Sequence, residues 1–272
     1  MPEQKSFKTR VKEEAVRCSK IYKDLFVDYD YLLCSEAFTD AEYYIIQAHE
    51  DNYEHLTGVG TNLKAATFFE RCYNGTLEEE DFSFQKRNKS PANVKGAVRD
   101  KIMVLPDIAG IFSPATTVEE GFHQNTIACS FAAEGGTFTM GFVCDGFSKP
   151  KTLLRGKKLN PNRTGAMELV LRRKRGAEKF DQIIVGNNEV LKKYAVKINA
   201  LLSADLLAVI APEQSENSSR ERTDVTLVEQ TKFDLLVSLV KESHLTAEVA
   251  ASTMQISVEE FNARMNTNSG TE

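Results

Sequence analysis

The chain has 272 residues, with 34 Lys and Arg against 39 Asp and Glu for a net charge of −5, 42% hydrophobic and 27% charged residues. This is the balance of a folded globular chain, in one large domain or two smaller ones, and it excludes a collagen-like or disordered protein. The acidic total argues at first sight against a nucleic-acid partner.

Residues 3–25 alternate Lys, Glu and Arg with Val11, Ala15, Val16, Ile21 and Leu25, the pattern of an amphipathic N-terminal helix. Tyr43 to Ala48 is a short apolar run that suits a buried strand. Thr61 is placed to cap a helix that buries Leu63, Ala66, Phe69 and Cys72 and stops at Gly75. A further helix is expected from about Asn93 to Leu105, ended by Pro106.

The period then changes to two. Ile127, Cys129 and Phe131 precede Gly135-Gly136, and Phe138, Met140, Phe142 and Cys144 follow it, which predicts a hairpin. Met167, Leu169 and Leu171 predict another strand, turned by Lys174-Arg175-Gly176 into a partner over Phe180 to Val185. A helix from Asn188 is expected to bury Leu191, Tyr194, Ile198 and Leu201/Leu202. Residues 212–220 have linker composition, and beyond them Phe233, Leu235, Leu236, Leu239 and Val240 suit one helix. Thr246 starts a second, and the capping box Ser257-Val258-Glu259-Glu260 starts a third. Strands flanked by helices give an α+β class: a mostly antiparallel sheet with a small C-terminal helical segment.

No apolar run reaches the roughly 18–20 residues of a membrane helix, so no membrane partner is expected. The start of the chain lacks the apolar region of a secretory signal. The five cysteines form no CxxC pair, so neither a structural zinc nor a redox motif is expected, and reduced thiols in a cytoplasmic protein are the simplest reading. No metal and no cofactor is assigned.

The net charge hides a strong asymmetry. Residues 149–180 hold eleven basic and two acidic residues, while 1–81 carry −8 and 205–272 carry −7. The basic stretch includes Lys149, Lys151, Arg155, Lys157, Lys158, Arg172, Arg173, Lys174 and Arg175. A solvated surface explains any one of these cations; together they read as a footprint for phosphates. The second candidate is Asn52-Tyr53-Glu54-His55-Leu56-Thr57-Gly58, between a strand end and a helix start, where polar side chains can face a cleft. His55 can move protons near neutral pH and Thr57 offers a hydroxyl, although a lone histidine is more often structural. His49, His123 and His244 read as structural.

The order of these features resembles a known family. Asn52-x-x-His55-Leu56-Thr57-Gly58 follows a strand. A helix with Ala65-Ala66-x-Phe68-Phe69 and Tyr73-x-Gly75 comes next, then a helix with Lys95 and Lys101, then Pro150-Lys151-Thr152-Leu153-Leu154 and a hairpin with Lys174. This resembles the fourth family of phage-associated nuclease-like domains of the Barnase–EndoU–Colicin E5/D–RelE superfamily, over roughly residues 25–200. The resemblance implies a twisted antiparallel sheet with helices packed on one face, an origin in phages or mobile elements, and metal-free RNA cleavage in active members. It implies His55 as acid or base, Thr57 orienting the phosphate, and Lys151 and Lys174 stabilising charge, with Arg172 and Lys95 assisting. Asn52, Arg155, Lys157 and Lys158 would line the RNA, Tyr53 and Phe147 would meet bases, and a second histidine would be His49 or His123.

The resulting organisation is an N-terminal helix over 1–25, a nuclease-like domain over 26–210, a linker over 211–223 and a helix-turn-helix-like tail over 224–272. RNA is the expected partner, with an antitoxin or other protein on the tail. The alternatives are an inactive module that binds nucleic acid or protein through the same basic face, and a DNA-binding regulator acting through the tail. Glu259 and Glu260 against a single Arg264 disfavour the last.

Overall fold

The structure is a computed structural model that describes residues 5–211, 233, 236–241, 245–254 and 256–267. Leu235, His244 and the linker from residue 212 onward lie outside the described residues. The chain divides into two compact units, Met1–Ile210 and Ala211–Glu272.

The first helix, α1 (Phe7–Tyr22), starts at Ser6, whose hydroxyl accepts the Thr9 N–H at 3.0 Å. Val11, Ala15, Cys18 and Tyr22 fall on one face at helical spacing and are buried. A π turn over Lys23–Val27 then sets Phe26 into the core. Helices α2 (Tyr53–Thr57), α3 (Ala65–Asn74) and α4 (Pro91–Val104) complete the main helical layer. Gly75 ends α3 in the left-handed region at φ 72°, as expected from its lack of a Cβ. Two details differ from the sequence expectation. Lys64 stands at the N-cap of α3, because Thr61 is taken up in a strand, where its hydroxyl donates to Asp81 O at 2.6 Å. Phe68, not Ala66, is the inward residue of its first turn.

The strands are β1 (Tyr29–Cys34), β2 (Tyr44–Ile46), β3 (Gly60–Thr61), β4 (Phe82–Ser83), β5 (Thr117–Glu120), β6 (His123–Gln124) and β7 (Ile127–Ala128). They continue as β8 (Phe131–Gly135), β9 (Phe138–Asp145), β10 (Phe147–Arg155), β11 (Thr164–Ala166), β12 (Leu169–Lys174) and β13 (Gln182–Val185). Nine of them form one sheet in the order β11-β5-β8-β9-β10-β2-β1-β12-β13, antiparallel except for β10 beside β2. The expected hairpin is β8–β9, with Gly136 at φ 62° in its two-residue turn. The segment from β11 to β12 meets both sides of the sheet: β11 pairs with β5 and β12 with β1. Between them Met167 N–H donates to Thr116 O and Glu168 N–H to Cys34 O, so the sheet curls back on itself.

This fold is the expected α+β arrangement, with one addition. Tyr31, Leu33, Ile46, Phe131, Met140, Leu153 and Val170 face the main core shared with α1 to α4. Leu32, Cys34, Leu169 and Leu171 face the other way, under a second layer formed by α5 (Asn188–Ile198) and α6 (Ala204–Ile210). Leu191, Tyr194, Ile198 and Leu202 are buried there. A smaller cluster of Phe122, Cys129, Ala132 and Leu159 covers the reverse face near β8.

On the α5 side, buried Asp30 forms ion pairs with Arg173 at 3.1 Å and Arg175 at 2.8 Å. Arg175 also donates to the carbonyls of Phe26, Val27 and Ala48. Half of the Arg172–Arg175 run is therefore a structural clamp between β12 and the strand and turn beside it.

The second unit holds α7 (Ala247–Met254) and α8 (Val258–Thr267). Ala250, Ala251 and Phe261 are buried with Phe233 and Leu236, and Ser257 accepts the Glu260 N–H at 3.1 Å. Among the described residues no helix is long and apolar enough to cross a membrane.

Candidate active site

The site grows from α2. His49 N–H donates to Asn52 Oδ1 at 2.9 Å, which bends the chain from β2 into the helix. Tyr53, Leu56 and Thr57 then turn inward and are buried, so the helical step of about 100° per residue leaves Glu54 and His55 outward. Tyr53 donates its hydroxyl to Ala15 O of α1 at 2.6 Å, and burial holds its phenol far above the usual range. Thr57 donates its hydroxyl to Glu54 O at 2.8 Å inside the same turn. Gly58 closes the helix at φ 78°.

Helix α4 brings Lys101 across this end. Its Nζ donates to the carbonyl oxygen of His55 at 2.5 Å, and its stem lies where a Cβ on Gly58 would be, 2.6 Å from Cδ. The absence of a side chain at Gly58 thus admits the lysine. A second close approach follows at Gly60, whose Cβ position would lie 2.1 Å from Gln85 O. That contact, with the β3–β4 pair, sets the turn Lys86-Arg87-Asn88-Lys89 beside α2.

Lys86 Nζ lies 3.9 Å from Glu54 Oε1. Burial pushes Lys101 down to about 7, Lys86 and Lys89 push it the same way, and Glu54 opposes. Lys86 is lowered too, by burial and then by Lys89. Lys86, Lys89 and Glu54 thus surround Lys101, which is fastened to the main-chain carbonyl of the exposed His55. Among the described residues no group of three or more His, Cys, Asp or Glu is placed to hold a metal ion.

The sequence-predicted residues divide. Asn52, Tyr53 and Thr57 are buried parts of the frame that holds His55 outward. Lys95, on α4, lies over the Phe84 ring at 5.6 Å. Arg155 reaches α4 through Asp100 at 3.5 Å. Lys151 does not join His55: its Nζ donates to Ala128 O at 3.0 Å, beside Cys129 of the reverse-face cluster. Lys157 turns to Glu134 at 3.9 Å, and the Lys158 N–H donates to the same carboxylate at 2.8 Å. Lys174 is exposed at the end of β12, three strand steps from β10 and about 14 Å across at the usual spacing. Arg172 is held by Gln182 and the Tyr29 ring, 4.3 Å from its centroid. Phe147 is exposed at the start of β10, and His49 and His123 are exposed.

Sequence reasoning passed over Glu54, Lys86 and Lys89 and gave Lys101 no role. The available signal was the Lys86-Arg87-x-Lys89 tract, hidden because residues 82–148 balance to zero charge.

No curated protein and no solved structure matches the chain. A family model does match: it begins within α1 and ends at the start of β8, leaving Lys151 and Lys174 outside. Residues 16–131, which carry Glu54, His55, Lys86, Lys89 and Lys101, are similar to the family described as phage-Barnase-EndoU-ColicinE5/D-RelE like nuclease4.

Proposed function

We propose that the chain is a metal-independent endoribonuclease of a phage or mobile element, working at the outer end of α2. The observation that carries this reading is an exposed His55 whose main-chain carbonyl is held by Lys101, with Lys86 against the neighbouring Glu54, inside the stretch similar to a nuclease family. In this reaction the RNA 2′-hydroxyl gives up its proton and forms the O2′–P bond. The P–O5′ bond breaks, and the 5′ oxygen takes a proton, leaving a 2′,3′-cyclic phosphate and a 5′-hydroxyl. His55 is the base, and Lys101, which burial pushes down to about 7, supplies the proton. Lys86 and Lys101 offset the charge that builds on the phosphate oxygens, the role the family resemblance implies for Lys151 and Lys174.

The test is incubation of end-labelled RNA with the protein in EDTA. Cyclic-phosphate products should form, and His55→Ala should slow their formation by about 10²–10⁴-fold. Intact RNA across substrates and pH would overturn the reading.

One observation favours a second reading, a phosphate-binding module without cleavage. Among the described residues no side chain hydrogen-bonds the His55 imidazole, whereas an activated base is commonly held by a third group. That reading predicts salt-dependent RNA binding, unchanged in His55→Ala, with no product.

A further inference from the structure

We infer that the turn Lys86–Lys89, together with Lys101, is a binding site for a phosphate of the RNA strand. The inference rests on the reading above for the identity of the strand. The turn is closed by Lys89 N–H donating to Lys86 O at 3.2 Å, with Asn88 at φ 63°. It is fastened by the β3–β4 pair and the backbone approach at Gly60, so its backbone is fixed before any ligand arrives.

Lys86 and Lys101 are half-buried, and Arg87 and Lys89 are exposed on the same turn. The charged groups around Lys101 are Lys86 and Lys89 on the turn and Glu54 on α2, with the His55 carbonyl accepting its hydrogen bond. Arg155 and Asp100, next along α4, pair with each other. Positive charge thus exceeds negative in a small space, and like charges held together are relieved by an anion. Ammonium groups suit a phosphate because each is a point charge with three rotatable donors. In the basic stretch over 149–180, by comparison, Arg173, Arg175, Arg163 and Arg155 are paired with carboxylates.

The experiment uses the full chain carrying His55→Ala, so that RNA stays intact. Anisotropy of a labelled single-stranded RNA is followed over a salt series, and inorganic phosphate is titrated by calorimetry. Lys86→Gln with Lys89→Gln should weaken RNA binding about tenfold or more at low salt. It should also lower the slope of log K against log salt by about 0.7, the share of one phosphate contact on a single strand. Lys192→Gln, on α5, should change neither. Phosphate should bind with proton uptake near neutral pH, seen as heats that differ between buffers, and the double variant should lose that signal. Wild-type slope and affinity in the double variant would overturn the proposal. If Lys86→Gln unfolds the site through Glu54, the exposed Lys89→Gln decides alone, with a slope change of about half. Turn-dependent phosphate binding in a protein that never cleaves RNA would sink the nuclease reading and leave this site standing. With His55 restored, cleavage indifferent to the turn would overturn this site and the role given to Lys86 above, and leave the nuclease activity standing.

Discussion

Gly58→Ala tests how the site is held. A residue with a Cβ at φ 78° costs about 1–2 kcal/mol in the left-handed region. The new methyl group would also sit 2.6 Å from Lys101 Cδ, so the lysine stem must move and its bond to His55 O is lost. A hydrogen bond from a charged donor contributes about 1.5–3 kcal/mol, toward the lower figure at a half-exposed site. The total is about 3 kcal/mol, read as a lower midpoint in urea with the slope unchanged. A double-mutant cycle separates the two parts. In a Lys101→Ala background there is no stem to displace, so Gly58→Ala should cost only the backbone share of about 1–2 kcal/mol. Equal costs in both backgrounds would refute the contact as the cause. RNA cleavage gives an independent readout, because displaced Lys101 should lower the rate of Gly58→Ala at a pH where the variant remains folded.

Asp30→Ala should destabilise the first unit by about 3–5 kcal/mol, because it strips the carboxylate from two half-buried guanidinium groups; a urea midpoint within about 1 kcal/mol of wild type would contradict the clamp. The depressed Lys101 sets a pH dependence. Between about 7 and its ordinary 10.5 the unfolded chain holds a proton that the folded chain has released. Stability should therefore rise with pH through that window, relative to Lys101→Met, and show no such gain below 7. Urea titrations of both proteins at pH 6, 8 and 9.5 measure the difference; parallel curves would rule out the burial of Lys101.

The legible parts of the fold were those where one face is buried and the pattern alternates. The β8–β9 hairpin and the β12–β13 pair followed from Phe138, Met140 and Phe142 and from Met167, Leu169 and Leu171. Strand β1 was not legible, because Tyr31 and Leu33 face one core while Leu32 and Cys34 face another. A strand buried on both sides is an unbroken apolar run, and periodicity cannot separate that from a helix segment. Strand β10 was obscured by Pro150, which sits where the register with β9 shifts. Proline lacks the N–H a ladder needs, so a break in the ladder is where it fits. The His55 segment could be found from its residue types. Its partner Lys101 could not, because the contact spans 46 residues and depends on the missing side chain at Gly58.

Charge taught the complementary lesson. Dividing the net −5 into segments exposed a +9 stretch, but a segment sum counts cations without showing what each one faces. Arg173 and Arg175 share Asp30, Arg163 lies 3.5 Å from Glu119, and Lys151 is spent on a carbonyl. A paired guanidinium adds little to the field a phosphate meets, since its carboxylate cancels most of it beyond a few ångströms. The turn at Lys86 lies in a segment whose sum is zero, yet Lys86 and Lys89 of that segment gather around its Lys101, with Glu54 the one carboxylate there. For attracting an anion, the decisive quantity is unpaired charge held together by the fold, and close packing at Gly58 and Gly60 is what holds it here.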